Sequence, residues 1–187
     1  MTAGKLSEGT LSLPPTSSQS GRIGPQQCGE FAIRIGRDGT WYYLNSPIGR
    51  KPLVKLFSTV LRREADGSYW LVTPYERGRI EVEDVPFIAV EVTVEGTGPA
   101  QRLRFRTNLD DEVVADRDHP IRVVEDPETG EPTPYIMVRG GLEARLTRPV
   151  FYELVERAES RDEEGVEQLG VWSDGQFFLL GRIEASA

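Results

Sequence analysis

Apolar and polar residues alternate along Phe31-Ala32-Ile33-Arg34-Ile35, a period of two that places Phe31, Ile33 and Ile35 on one face of a strand. Asp38-Gly39 supplies a hairpin-type turn, and Trp41-Tyr42-Tyr43-Leu44 returns as a second strand. The period then changes. Leu53, Leu56, Phe57, Val60 and Leu61 fall at i, i+3, i+4, i+7 and i+8, one apolar stripe of a helix that Pro52 can open in its first turn. Burying those side chains would contribute roughly 1.5–3 kcal/mol each before entropy is subtracted, so this helix is expected to dock on a sheet. Asp66-Gly67 follows, and Tyr69-Trp70-Leu71-Val72 closes the unit ahead of Pro74.

The middle of the chain reads as a meander. Ile88, Val90, Val92 and Val94 alternate with Ala89, Glu91, Thr93 and Glu95, and Gly96-Thr97-Gly98-Pro99 turns the chain into Arg102-Leu103-Arg104-Phe105-Arg106. Three arginines on one strand face suggest a phosphate contact, but a register that sets Glu95 against Arg102 and Glu91 against Arg106 makes them a solvated charge ladder. The last third repeats the order of the first. Ile121-Arg122-Val123 echoes Ile33-Arg34-Ile35, and Tyr135-Ile136-Met137-Val138 echoes the aromatic second strand. Pro149 leads a second helical stripe of Val150, Phe151, Leu154, Val155 and Ala158, and Asp174 through Leu180 mirrors Asp66 through Val72. A duplicated unit with insertions in its turns accounts for this order.

These patterns predict an α+β fold. It has two related, mostly antiparallel β-sheet units, each with one packed helix. The expected division is a flexible tail over 1–23, a β-β-α-β unit over 24–77 and a β-roll over 78–187 with its helix at 149–159. The first residues are rich in Ser, Thr, Gly, Pro and Gln and cannot bury enough surface to offset their ordering entropy. They lack the apolar core of a signal peptide, and no window elsewhere is long and apolar enough to span a membrane, so a cytoplasmic protein without a membrane partner is expected.

Composition narrows the chemistry. One cysteine, Cys28, excludes an intramolecular disulfide, and one histidine, His119, excludes a Cys/His zinc cluster. The net charge of −8 disfavours a nucleic-acid partner. No Walker loop, nucleophile elbow or paired-histidine helix occurs, and Gly96-Thr97-Gly98 lacks the third glycine of a dinucleotide fingerprint, so no cofactor is implied. His119 before Pro120 fits an exposed loop better than a catalytic base, and Cys28 fits a small buried side chain better than a nucleophile.

What remains is charged residues beside apolar elements. Arg50 precedes the first helix, where free N–H groups receive an anion; Glu76 and Asp84 punctuate strands near the junction of the units; Arg139 and Glu143 flank a loop of the second unit comparable to that of Arg50. Such a set fits a cleft for a small polar or anionic ligand, and it equally fits an interdomain salt-bridge lattice. Two other functions stay open: a hydrolase using Glu76 and Asp84 as acid and base or as magnesium ligands, and a module that docks a protein partner through exposed aromatics or strand edges.

The segments Cys28-Gly29-Glu30, Arg37 through Trp41, Ser46 through Arg50, Leu71 through Glu76, Val82 through Phe87, Thr107-Asn108, His119-Pro120 and Tyr135 through Glu143 together resemble the bacterial domain-of-unknown-function family 1285. The resemblance covers nearly the whole chain after the tail. It implies a duplicated two-domain core with a second domain like a pleckstrin-homology roll, a binding site at the domain interface and an association with signal transduction. It assigns no reaction. Glu30-Phe31 stands where the family pattern has Asp followed by an aliphatic residue. The expected function is a noncatalytic ligand-binding or sensing protein with Arg50, Glu76, Asp84, Arg139 and Glu143 near its site.

Overall fold

The computed structural model describes residues 26–163 and 165–183. The expected tail over 1–23 and the side chain of Cys28 lie outside the described residues. The first unit runs β1 (Gln26–Ile35), β2 (Trp41–Tyr43), β3 (Ser46–Pro47), α1 (Lys51–Thr59), β4 (Leu61–Arg63), β5 (Tyr69–Val72) and β6 (Glu76–Val82). Its six strands form one sheet in the order β3-β2-β1-β6-β5-β4, with β1 and β6 parallel at the centre and every other pair antiparallel. The sheet extends through Val82, past the expected division at 77, because β6 pairs with β1 as well as with β5.

The second unit begins with β7 (Phe87–Glu95), a 3-10 turn at Gly98–Ala100, β8 (Arg102–Thr107) and β9 (Glu112–Val114). It continues with β10 (Ile121–Glu125), β11 (Pro132–Arg139) and β12 (Leu142–Leu146). These strands order as β10-β11-β12-β7-β8-β9, with β12 and β7 parallel at the centre. Then follow α2 (Arg148–Val155) and a three-stranded sheet of β13 (Glu159–Glu163), β14 (Val166–Ser173) and β15 (Gln176–Ile183). β14 packs on β8 and β15 lies beside β10, so the second sheet curls into a half-barrel, with α2 against β7 and β14.

The fold is α+β and duplicated, but the repeat runs in a different frame from the expected one. In each sheet three antiparallel strands lead out from the centre, the chain crosses over, and three more return to a central parallel pair. β1 therefore matches β7, not β10, and β6 matches β12. The helices do not mark equivalent points of the repeat, since α1 lies inside the first repeat, between β3 and β4, whereas α2 follows the second repeat. Keying Pro52 to Pro149 shifts the alignment by half a repeat, and the two helices have unlike surroundings.

Both helices are shorter than their stripes suggest. α1 stops at Thr59, Leu61 is already the buried first residue of β4, and the face turned inward is Val54 and Ser58 rather than Leu53 and Leu56. Leu56 is 62% exposed. α2 ends at Val155 instead of 159, and Glu159 opens a strand. The meander departs in one place: a register shift between Ala89 and Glu91 turns Val90 outward, while Phe87, Ile88 and Ala89 are all buried. Beyond that shift, Glu91 faces Arg106 and Glu95 faces Arg102 as expected, and Arg106 Nε donates to Glu91 at 2.7 Å.

Candidate functional site

Four residues, Glu83 to Pro86, connect the two sheets, so the units meet along a seam set by that short link. Its two acids point opposite ways. Glu83 accepts hydrogen bonds from the Arg34 guanidinium and the Arg37 backbone N–H of the first unit. Asp84 turns to the second unit, where the Tyr135 hydroxyl donates to Oδ1 at 3.0 Å and Arg145 Nη1 stands 3.4 Å from Oδ2. That Oδ2 is buried and the Arg145 contact lacks hydrogen-bond geometry, so Coulomb attraction alone compensates it.

The polar network continues outward on the face of β10–β12 turned away from the core. Glu143, 6% exposed, accepts a bidentate pair from Arg122, with Nε at 2.6 Å and Nη2 at 2.7 Å. Arg122 lies 4.3 Å over the Tyr135 ring. Burial pushes the Tyr135 hydroxyl above its ordinary pKa, and the Asp84 charge adds to the shift. Across the seam, Tyr69 of β5 is likewise raised, first by burial, and feels the charges of Arg63, Glu143 and Asp84. Arg63 stacks on Tyr69 and donates to the Gly141 carbonyl at 3.2 Å. Gly39 shows how close the units come. At φ +80 its turn presses on the second unit, and a Cβ there would lie 2.7 Å from Ile88 and 2.8 Å from Asn108.

Two hollows open along this seam. One, of about 500 Å³, lies between α1 and the β8–β9 turn and contains Lys55, Leu56, Ser58, Leu109, Asp111 and Arg139. Arg139 is engaged there from both units. It donates to Asp111 at 2.7 Å and to the Ser58 carbonyl at 2.9 Å, and lies 4.9 Å over the Phe87 ring. The other hollow, of about 490 Å³, is lined by Arg37 and Ile88 with Arg145, Thr147, Arg148 and Phe151 among its walls. Arg148 pairs with Glu131 at 2.6 Å, and Arg145 donates to the Arg37 carbonyl at 2.6 Å. The Arg37 guanidinium makes no hydrogen bond or short ion pair within the described residues, but its charge acts on Asp126. Asp126, on the same wall, is held below the usual carboxylate range by the backbone N–H groups of Thr129 and Glu128, so it stays anionic.

Of the five candidates read from the sequence, the structure brings Asp84 and Glu143 into one seam network. Arg139 lies in the hollow beside α1. Arg50 is exposed at the start of α1, outside both hollows, and its backbone carbonyl receives Leu53 and Val54. Glu76 opens β6, in the turn closed by Thr73. Asp84 follows the other end of that strand, which at about 3.3 Å per residue puts roughly 20 Å between them. Glu76 and Asp84 therefore do not form an acid–base pair or a shared magnesium site. The Arg139–Glu143 loop is the β11–β12 hairpin, whose counterpart is the β5–β6 turn rather than the loop of Arg50. Among the described residues no group of three His, Cys, Asp or Glu side chains converges as a metal site, and no helix is long and apolar enough to cross a membrane. His119 Nδ1 is 3.0 Å from Asp116 in a loop turn.

The comparisons agree with this architecture. Residues 21–85 match the model described as the domain of unknown function DUF1285, N-terminal domain, and residues 86–180 match that of the protein of unknown function DUF1285, C-terminal domain. The chain belongs to the DUF1285 family. It is similar to the crystal structure of a DUF1285 family protein from Silicibacter pomeroyi DSS-3, at 44% identity and TM-score 0.79 over 89% of this chain and 90% of that one. A DUF1285 family protein from Shewanella baltica OS155 is 26% identical, with TM-score 0.51 over 65% of this chain and 88% of that one. No curated protein matches the chain.

Proposed function

We propose that this member of the family is a noncatalytic binding or sensing protein that holds a small organic anion in the seam hollow lined by Arg37, Arg145 and Arg148. The observation that carries the reading is that three arginines, one from the first unit and two from the second, line a space of about 490 Å³. That volume suits a metabolite-sized ligand. Asp126 and Glu131 oppose the arginines, leaving the walls one positive charge in excess. Arg37, whose guanidinium has Asp126 as an electrostatic neighbour but makes no hydrogen bond within the described residues, is the group best placed to take a carboxylate or phosphate oxygen pair. Ile88, Leu146 and Phe151 supply an apolar wall for the rest of the ligand.

Asp84 enters this reading as the residue behind Arg145, not as a ligand contact. Glu143 acts one step further away, through Arg122 and Tyr135. A ligand that drew Arg145 toward itself would loosen its bond to the Arg37 carbonyl across the seam, which is the physical basis for a sensing role. The test is thermal unfolding with inorganic phosphate, phosphomonoesters and small dicarboxylates. A ligand at a hundred times its Kd adds about 2.7 kcal/mol of stability. Arg37→Gln should weaken the responding anion about tenfold, the loss of one charge-assisted contact. A response of unchanged size in both Arg37→Gln and Arg148→Gln would refute the assignment.

A further inference from the structure

The three arginines of the seam hollow are not equally available. Arg145 is committed to the Arg37 carbonyl at 2.6 Å and stands 3.4 Å from Asp84 Oδ2. The Arg37 guanidinium makes no hydrogen bond within the described residues and meets the charge of Asp126 through space. Arg148 already carries a carboxylate of the chain itself, because its Nη2 donates to Glu131 Oε1 at 2.6 Å.

The two acids of the hollow come from one hairpin. Between β10 and β11 the Asp126 N–H donates to the Glu131 carbonyl at 3.0 Å, which sets the two residues opposite each other with their Cβ atoms about 5 Å apart. One acid is thus placed near Arg37 and the other on Arg148, and they differ in freedom. Asp126 Oδ1 accepts the N–H groups of Glu128 and Thr129 at 2.8 and 2.9 Å, so its carboxylate is fixed in the turn and leaves Arg37 without a bond. Glu131 is fixed in its backbone, by Asp126 and by the pairing of Pro132 with Glu125. Its side chain is 60% exposed and that of Arg148 is 76% exposed, so a rotation into solvent releases the pair at little cost.

On the premise that the seam hollow is an anion site, we infer that its ligand is a small dicarboxylate, with one carboxylate on Arg37 and the other in the place that Glu131 takes on Arg148. Glu131 is thereby an internal competitor for the site. The methylene chain between the two carboxylates lies on the apolar wall of Ile88, Leu146 and Phe151. A monocarboxylate is satisfied by Arg37 alone and has no second group with which to displace Glu131. An exposed ion pair contributes up to about 1 kcal/mol, so Glu131 lowers the affinity for a dicarboxylate by about three- to fivefold. An open site and a ligand of few atoms set the Kd on the order of 0.1–1 mM.

Titration calorimetry of the full chain, at neutral pH and constant ionic strength, compares succinate and glutarate with butyrate and valerate, which have the same carbon chains and one carboxylate fewer. A dicarboxylate should bind at least about tenfold more tightly than its counterpart. Glu131→Gln should tighten the dicarboxylate about three- to fivefold and leave the monocarboxylate unchanged. Glu128→Gln removes the same charge from the same hairpin outside the hollow and should change neither. In an Arg148→Gln background Glu131→Gln should give no gain, because the competition needs Arg148. Circular dichroism confirms that these variants, all at exposed residues, fold. The inference fails if Glu131→Gln gives no gain, or if the gain persists without Arg148 or is matched by Glu128→Gln, either of which marks a general charge effect. It also fails if monocarboxylates match dicarboxylates, or if no dicarboxylate binds at about 10 mM, well above the expected range. In that last case, inorganic phosphate that binds through Arg37 leaves the seam site standing and removes the dicarboxylate, whereas the lack of any Arg37-dependent anion removes both.

Discussion

Arg139→Met should separate the two units energetically while leaving each sheet intact. The guanidinium ties three things together: the Asp111 carboxylate at 2.7 Å, the carbonyl of Ser58 near the end of α1 at 2.9 Å, and the face of the fully buried Phe87 at 4.9 Å. A hydrogen bond to a charged group contributes about 1.5–3 kcal/mol, but the side chain is 36% exposed, so about 1 kcal/mol for each of the two is the appropriate figure. Stacking on Phe87 adds about 0.5–1 kcal/mol, part of which the methionine retains as packing. The net cost is about 2–3 kcal/mol, which for a chain of this size lowers Tm by roughly 5–10 °C. Urea unfolding followed by tryptophan fluorescence reads it well, because Trp41 stacks on Phe57 of α1, one residue from Ser58. Arg139→Lys is the informative control. A lysine keeps the charge but cannot span both oxygen acceptors, so it should recover less than half of the loss. A cost below about 0.5 kcal/mol for Arg139→Met, within the range of a neutral surface change, would refute the idea that this arginine holds the seam.

Gly39→Ala should cost about 2–4 kcal/mol in denaturant unfolding, since the residue combines φ +80 with a Cβ position 2.7 Å from Ile88 across the seam; a neutral effect would mean that the turn can withdraw from the second unit. Alkaline unfolding should depend on Tyr69 and Tyr135, whose hydroxyls are raised above their ordinary pKa, first by burial. A raised folded pKa gives stability that is complete below the unfolded value of about 10 and is lost as pH rises through the folded value. Tyr69→Phe and Tyr135→Phe should therefore flatten the loss of Tm above about pH 10, and an unchanged alkaline slope in the double variant would count against the buried seam network.

The sequence reveals those elements whose partners are close along the chain. The Asp38-Gly39 hairpin and the Glu91–Arg106 register were legible because a two-residue period and a turn fix both strands at once. The parallel pairs β1–β6 and β7–β12 were not, because their partners lie more than forty residues apart and carry no local signal of each other. The buried face of α1 was missed for a related reason. Leu53, Val54, Leu56 and Phe57 make the helix apolar around half its circumference, and only its position between two units selects Val54 and Ser58 as the inner face. Arg37, Arg145 and Arg148 looked like ordinary surface charges; Arg37 sits in a turn that also serves the hairpin, and only the folding of one unit onto the other brings the three together.

The four-residue link explains why the seam, rather than either sheet alone, sets the geometry of the arginine-lined hollow. A flexible connector would let the units rock, and Arg37 would then have no fixed distance from Arg145 and Arg148. Here Glu83 is fastened to the first unit through Arg34 and the Arg37 N–H, while the very next residue is fastened to the second through Tyr135 and Arg145. Arg37 is thus held by its N–H to the link and by its carbonyl to Arg145, so its backbone is fixed while its guanidinium reaches toward Asp126 without a hydrogen bond. Asp84→Asn keeps the hydrogen bond from Tyr135 but removes the charge that attracts Arg145. Arg145 would then be held by the Arg37 carbonyl alone, so the variant should change anion affinity at the hollow more than it changes the stability of the fold.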